Sequence, residues 1–152
     1  MVVESLGHSP SRAESDAMVA RFTTELATEG WGLWAVEVRG GASFVGMVGL
    51  HRVSPSVPCA PAVEIAWRLH PDQWGHGYAT EGASAALRYG FVEGGLNEIV
   101  AFTTRLNLRS QAVMTRIGME RDEHGDFDHP GVPEGSPLRP HVLYRARPPR
   151  PG

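Results

Sequence analysis

Apolar residues fall at every fourth position in Met18, Phe22 and Leu26, the spacing of one buried stripe on a helix. Ser11-Arg12-Ala13-Glu14 just before them is a capping box and Gly30 is a stop signal, so the pattern predicts a helix over 11–29. The stretches 33–38 and 44–51 then lose that period. They are rich in aliphatic, aromatic and β-branched residues and flank Arg39-Gly40-Gly41, which reads as a hairpin over 33–51. Gly46 and Gly49 within its second strand signal a bulge or the close approach of another backbone. The proline-rich run Ser54 to Pro61 is a loop, and 62–69 is a further strand.

The helical period returns from Tyr78 to Val92, where Ala79, Ala83, Ala86 or Leu87, and Phe91 form the predicted buried stripe and Gly94-Gly95 ends it. A strand over 98–103 follows. Residues 62–103 therefore form a strand–helix–strand unit with a parallel pairing. Residues 105–109 read as a loop, and Ser110 opens a short helix that Gly118 closes, with Ala112, Val113 and Ile117 apolar. Residues 122–140, rich in Asp, Pro, Gly and His, read as a long loop with at most a short strand near Phe127. His141 to Arg147 is the final strand. Residues 1–10 are a loose lead-in and 148–152 a tail. The order α, β, β, β, α, β, α, β, with no repeat and no linker, predicts one mixed α/β domain over 1–152.

Composition adds exclusions. A net charge of −3 gives no footing for a nucleic-acid or membrane-surface binder. The single cysteine, Cys59, rules out an internal disulfide and has no paired histidine signature of a nucleophile. The longest apolar run, Phe44 to Leu50, is too short to span a bilayer, and the first residues lack the basic start of a secretory signal. The expectation is a cytoplasmic protein. His124, Asp126, Asp128 and His129 match no established metal-ligand spacing, so no metal is expected.

The chemistry centres on Gln73-Trp74-Gly75-His76-Gly77-Tyr78-Ala79-Thr80-Glu81. Strand, glycine turn and helix is the layout that points unpartnered backbone N–H groups at a phosphate. Gly75-x-Gly77 alone does not decide it. Thr80 stands where a dinucleotide fingerprint needs its third glycine, and no Gly-Lys-Ser/Thr follows for a P-loop. An ordinary tight turn before a helix reads equally well from spacing alone.

Three runs together resemble the GNAT superfamily of N-acetyltransferases, and within it the RimJ/RimL-like branch that acetylates ribosomal-protein N-termini. They are Glu64-Ile65-Ala66-Trp67-Arg68-Leu69, then Trp74 to Glu81, then Asn107 to Met119 with Ser110 and Gly118 inside it. Asp126 to Pro130 with His141 to Tyr144 also looks like that branch. Met119 stands where Phe is usual, and family members usually carry a strand and a helix ahead of the helix at 11–29. Without that strand the strand at 33–38 would have an unpaired edge, which a homodimer could cover.

The resemblance implies a mixed, mainly antiparallel central sheet with a β-α-β acyl-CoA-binding unit. It also implies transfer of an acetyl group from acetyl-CoA to a primary amine by direct attack in a ternary complex. Trp74, Gly75, His76, Gly77, Tyr78, Ala79 and Thr80 would hold the pyrophosphate. Backbone groups near Ala66, Trp67 and Leu69 would bond the pantetheine and polarise the thioester carbonyl. Ser110 would protonate the leaving thiolate, although a helix cap explains a serine there too. Asn107 would bond cofactor or substrate, or is a plain turn residue. Glu64 would act as general base, or is a solvated outward-facing strand residue. Arg105 and Arg109 could meet the 3′-phosphate, or are solvated. A protein N-terminus and an aminoglycoside-like amine compete as acceptors. The rival reading is a CoA-binding or oligomerising module with little catalysis.

Overall fold

The computed structural model describes residues 11–41 and 44–150. The lead-in over 1–10 and the last two tail residues lie outside them. Among the described residues three α-helices and six strands follow one another as α1 (Arg12–Glu29), β1 (Leu33–Val36), β2 (Gly46–Arg52), β3 (Val63–Leu69), α2 (Tyr78–Val92), β4 (Ile99–Thr104), α3 (Leu108–Arg116), β5 (Glu120–Asp128) and β6 (Pro140–Ala146). A short 3₁₀ turn, Pro71–Gln73, links β3 to the glycine turn.

The strands make one sheet in the order β1-β2-β3-β4-β6-β5. Every neighbouring pair is antiparallel except β3 and β4, which run parallel as a strand–helix–strand crossover requires. That parallel pairing has one register contact, Glu64 opposite Val100. Beyond it, 65–69 and 101–104 run on without facing each other, while β2 pairs with β3 to Leu69 and β6 pairs with β4 to Thr104. The sheet is split between β3 and β4 toward their C-terminal ends.

Alternation along the strands sorts side chains to two faces. Val63, Ile65, Trp67 and Leu69 join Val48, Leu50, Ile99 and Ala101 under Ala83, Ala86 and Leu87 of α2 and Val113 and Met114 of α3. Val100, Phe102 and Leu143 pack on the opposite face with Val53 and Val57 of the loop after β2. Of the predicted α2 stripe, Ala79 and Phe91 are half-buried at its ends, and Gly90 is buried as well. A Cβ on Gly90 would come within 2.8 Å of the Ile99 and Leu50 side chains, so its hydrogen lets α2 settle on the sheet.

The glycine signal in β2 marks close approach. A Cβ on Gly49 would lie 2.0 Å from the Gly32 carbonyl oxygen, and one on Gly46 2.0 Å from that of Arg68. The Ser11 cap also forms: its hydroxyl accepts from Glu14 N at 3.2 Å. Phe22 is the one buried residue of α1, and Met18 and Leu26 are half-buried, so this helix lies lightly on the molecule.

Two expectations need correction. The segment 122–140 holds more than a short strand near Phe127: β5 runs from Glu120 to Asp128, paired with β6 and shifted in register between Asp122 and Phe127, and the loop is 129–139. Its polar composition hid it, because this strand is at a sheet edge and several of its charges are paired. Arg145 of β6 bonds Asp122 at 2.9 Å, and Arg121 bonds Asp126 at 2.6 Å. Second, Ser110 does not open the last helix and 105–109 is not all loop. Asn107 is the N-cap, its Oδ1 accepting from Ser110 N at 3.1 Å, so Leu108 and Arg109 are already helical.

Candidate active site

The split sheet, the glycine turn and the start of α3 enclose one cleft of about 400 Å³. Gly75 and Gly77 have φ of 84° and 79°, left-handed values that side chains other than Gly seldom tolerate. No neighbour lies within 4 Å of a Cβ placed on either, so the backbone angle alone explains the glycines. Gly77 is the N-cap of α2 and supplies no side-chain cap, which leaves the N–H groups of the first turn available to an anion.

Trp67, Leu69, Trp74, Gly75, Gly77, Tyr78, Ala79, Thr80, Asn107 and Ser110 all line this cleft. Trp74 is fixed by its indole N–H, which donates to the Leu69 carbonyl at 3.0 Å. Four other named residues, Arg105 among them, do not line it. Ala66 is buried on the opposite face of β3, His76 stacks on Tyr78 at 5.3 Å between ring centroids, and Glu64 lies deeper along β3.

Asn107 joins two elements. Its amide donates to Thr103 Oγ1 at 3.2 Å while its carbonyl oxygen caps α3. This bracket holds Ser110 one turn into the helix, buried and against the cleft. With the cap made by Asn107, the Ser110 hydroxyl is not needed for that job.

Glu64 is not a solvated strand residue. It is 1% exposed, and His51 Nε2 of β2 stands 2.8 Å from its Oε1, an ion-pair distance without hydrogen-bond alignment. Oε2 has no partner among the described residues. Burial pushes the His51 imidazole down, but the contact with Glu64 and the charges of Glu64 and Glu25 outweigh it, and the net shift is upward. Burial raises the Cys59 thiol above its ordinary range, which suits an inert cysteine.

Sequence reasoning gave no site role to Arg68, Gln73, Val113 and Arg116, which also line the cleft. The signal was present for α3: Arg109, Val113 and Arg116 fall at helical spacing on the face that carries Ser110. Arg109 lies over the Trp74 ring at 4.5 Å, a cation–π contact that places its charge at the mouth. Arginines at a glycine turn and an open helix N-terminus suit a polyphosphate. Among the described residues no group of His, Cys, Asp and Glu could hold a metal, and no helix is long and apolar enough to cross a membrane.

Comparison with known proteins agrees with this architecture. The acetyltransferase (GNAT) domain family matches residues 1–120. The chain is 36% identical over 114 residues to an FsC-acetyl coenzyme A-N(2)-transacetylase of Aspergillus fumigatus, covering 70% of this chain and 48% of that one. It spans about half the length of the curated relatives it matches. A GNAT-family acetyltransferase structure from Bacillus anthracis superposes with a TM-score of 0.70 at 26% identity, over 93% of this chain and 77% of the other. An acetyltransferase of Salmonella typhimurium solved with its cofactor acetyl-CoA superposes with a TM-score of 0.70 at 16% identity, over 88% and 73%. On the family match and the split sheet together, this chain belongs to the GNAT acetyltransferase family.

Proposed function

We propose that the chain binds acetyl-CoA in the cleft between β3 and β4 and transfers its acetyl group to a primary amine. The observation that carries this reading is the split itself. A single register contact holds β3 and β4 together, and the gap beyond it opens onto the glycine turn, the arginines and Ser110. The pyrophosphate would sit on the N–H groups from Gly75 to Ala79, with Arg109 and Arg116 balancing its charge. The pantetheine would enter the gap, its amides bonding backbone groups near Ala66, Trp67 and Leu69 where β3 parts from β4. A backbone N–H there would polarise the thioester carbonyl.

The neutral amine attacks the thioester carbon, the carbonyl oxygen takes up negative charge, and collapse breaks the C–S bond. Ser110 is buried on the cleft wall where the leaving thiolate would lie, and would give it a proton. Glu64 would take the proton from the incoming ammonium. Two residues along a strand span about 7 Å, so the distance from Glu64 to a thioester held at Ala66 is that of one bridging water. An α-amine, with a pKa of roughly 7.7–8.0 against about 10.4 for lysine, is partly neutral already, which favours protein N-termini or aminoglycoside-like amines. The RimJ/RimL-like runs support the former. A cytoplasmic setting fits a thioester substrate and a lone, half-buried cysteine.

Titration with acetyl-CoA, followed by assay of free thiol with a panel of amines, tests the reading. Amine-dependent thiol release is expected; binding without release would leave a CoA-binding module. That second reading draws on one observation, the β1 edge, which has no strand beside it among the described residues. In either reading a homodimer joined through β1 would cover that edge.

A further inference from the structure

His51 reaches Glu64 from the neighbouring strand, and the tautomer follows from its other nitrogen. Nδ1 lies 3.1 Å from the Arg52 carbonyl, which can only accept, so Nδ1 carries a hydrogen. In a neutral imidazole Nε2 would then present a lone pair to Glu64 Oε1 at 2.8 Å. Two lone pairs that close repel, so one partner carries a proton, and the upward shift of the His51 imidazole places it there, as imidazolium beside carboxylate. Glu64 Oε2 stays unpartnered, at the register position where β3 and β4 part.

A buried carboxylate is costly unless a charge beside it compensates its own. We propose that His51 is a positioning residue: its cation, 2.8 Å from Oε1, compensates the buried carboxylate of Glu64 and leaves Oε2 for the acceptor amine. The proposal rests on the acetyl-transfer reading above and deepens it by saying how the base works. The ammonium gives one proton to Oε2, directly or through one water, and the amine nitrogen gains the lone pair that attacks. The proton on His51 does not move in that step.

The groups that face the pair are few. Glu25 of α1 adds negative charge near His51, and Phe22 of α1 offers only its ring, 6.4 Å away between centroids. Arg52 is bonded to Glu29 at 2.9 Å, and Cys59 from the loop before β3 faces Glu64 as a neutral thiol. Arg145, on the same register row through Val100, is bonded to Asp122 at 2.9 Å and to Glu98 at 2.7 Å, so His51 is the cation in contact with Glu64. Its upward pKa shift agrees with that placement.

Two measurements test it on the whole chain. First is kcat/KM against pH for the wild type and for His51→Asn, which keeps a donor and loses the charge. The acid limb should move to higher pH by about one unit or more, a roughly tenfold loss at a pH on the old limb, with acetyl-CoA affinity within about twofold. Equal loss at every pH would mark a merely structural role and overturn the proposal. Second is NMR titration of the His51 imidazole in the wild type and in Glu64→Gln. His51 should titrate above 6.5 and fall in the variant; titration unaffected by the variant would overturn the pairing. If no amine elicits thiol release from the wild type, the acetyl-transfer reading fails, and the imidazole titration still decides the pair.

Discussion

At the scale of single residues, two types of group matter: those that touch the cleft and those that titrate. Ser110 is the clearest of the first. Because Asn107 caps α3, Ser110→Ala costs no cap, and its effect should be confined to proton delivery. Turnover measured by thiol release should fall by about 10²-fold, the low end for a general acid, while acetyl-CoA affinity holds; unchanged turnover would remove it from the mechanism. Of the second type, His129 and His141 sit with ring centroids 4.9 Å apart, and burial holds both imidazoles below the ordinary 6.5. Unfolded chains bind those protons first as pH falls, so the folded state loses stability below about 6.5 until the lowered values are passed. His51, shifted upward, acts oppositely: it contributes fully below 6.5 and its contribution fades as pH rises through its folded value. Urea midpoints measured from pH 7 to 5 should fall less steeply for His141→Phe than for the wild type. The cleft residues were largely legible because glycines at forced backbone angles and residues at fixed helical spacing leave marks in sequence. Glu64 was legible as a candidate base, but its pairing with His51 was not, since burial and the contact between them depend on strand register.

At the scale of elements, what sequence displays best is a segment whose own side chains decide its fate. α2 and β3 fill their inward positions with small and branched apolar residues, and both fall where the pattern put them. β5 breaks the rule because its stability comes from a partner. Its register with β6 and the Arg145 bridges to Asp122 and Glu98 replace an apolar face, and no local pattern encodes them. The cap of α3 was misplaced for a similar reason: Asn107 and Ser110 are both good caps, and the Thr103 hydroxyl selects the first. Asn107→Ala should therefore cost about 1 kcal/mol in thermal or urea unfolding and lower turnover by disturbing Ser110, whereas Asn107→Asp should keep most of the stability. In β2, Gly49→Ala would drive a methyl into the Gly32 carbonyl and should destabilise by about 1–3 kcal/mol; a smaller loss would mean that β1 can move away.

At the scale of the whole molecule, the unanswered demand of the fold is the outer edge of β1. Gly32 O accepts from Leu50 N and Val36 O from Val45 N, so those carbonyls point inward to β2. By alternation the backbone groups of Ala35 point outward, where nothing pairs with them among the described residues. A row of unpaired groups beside half-buried Leu33, Trp34 and Val36 is a template for another strand. If two chains join there, proline at Ala35 would remove the outward donor without breaking the inward ladder, a position edge strands tolerate. Ala35→Pro should then sediment as a monomer where the wild type sediments as a dimer, with acetyl-CoA affinity intact because the cleft lies on the far side of β2. A wild type that is monomeric at all concentrations would show that the edge is protected within the chain. A variant that stays dimeric would place the contact on another surface. Loss of acetyl-CoA binding in the variant would tie the edge to the cleft through β2, whose register also fixes His51 against Glu64.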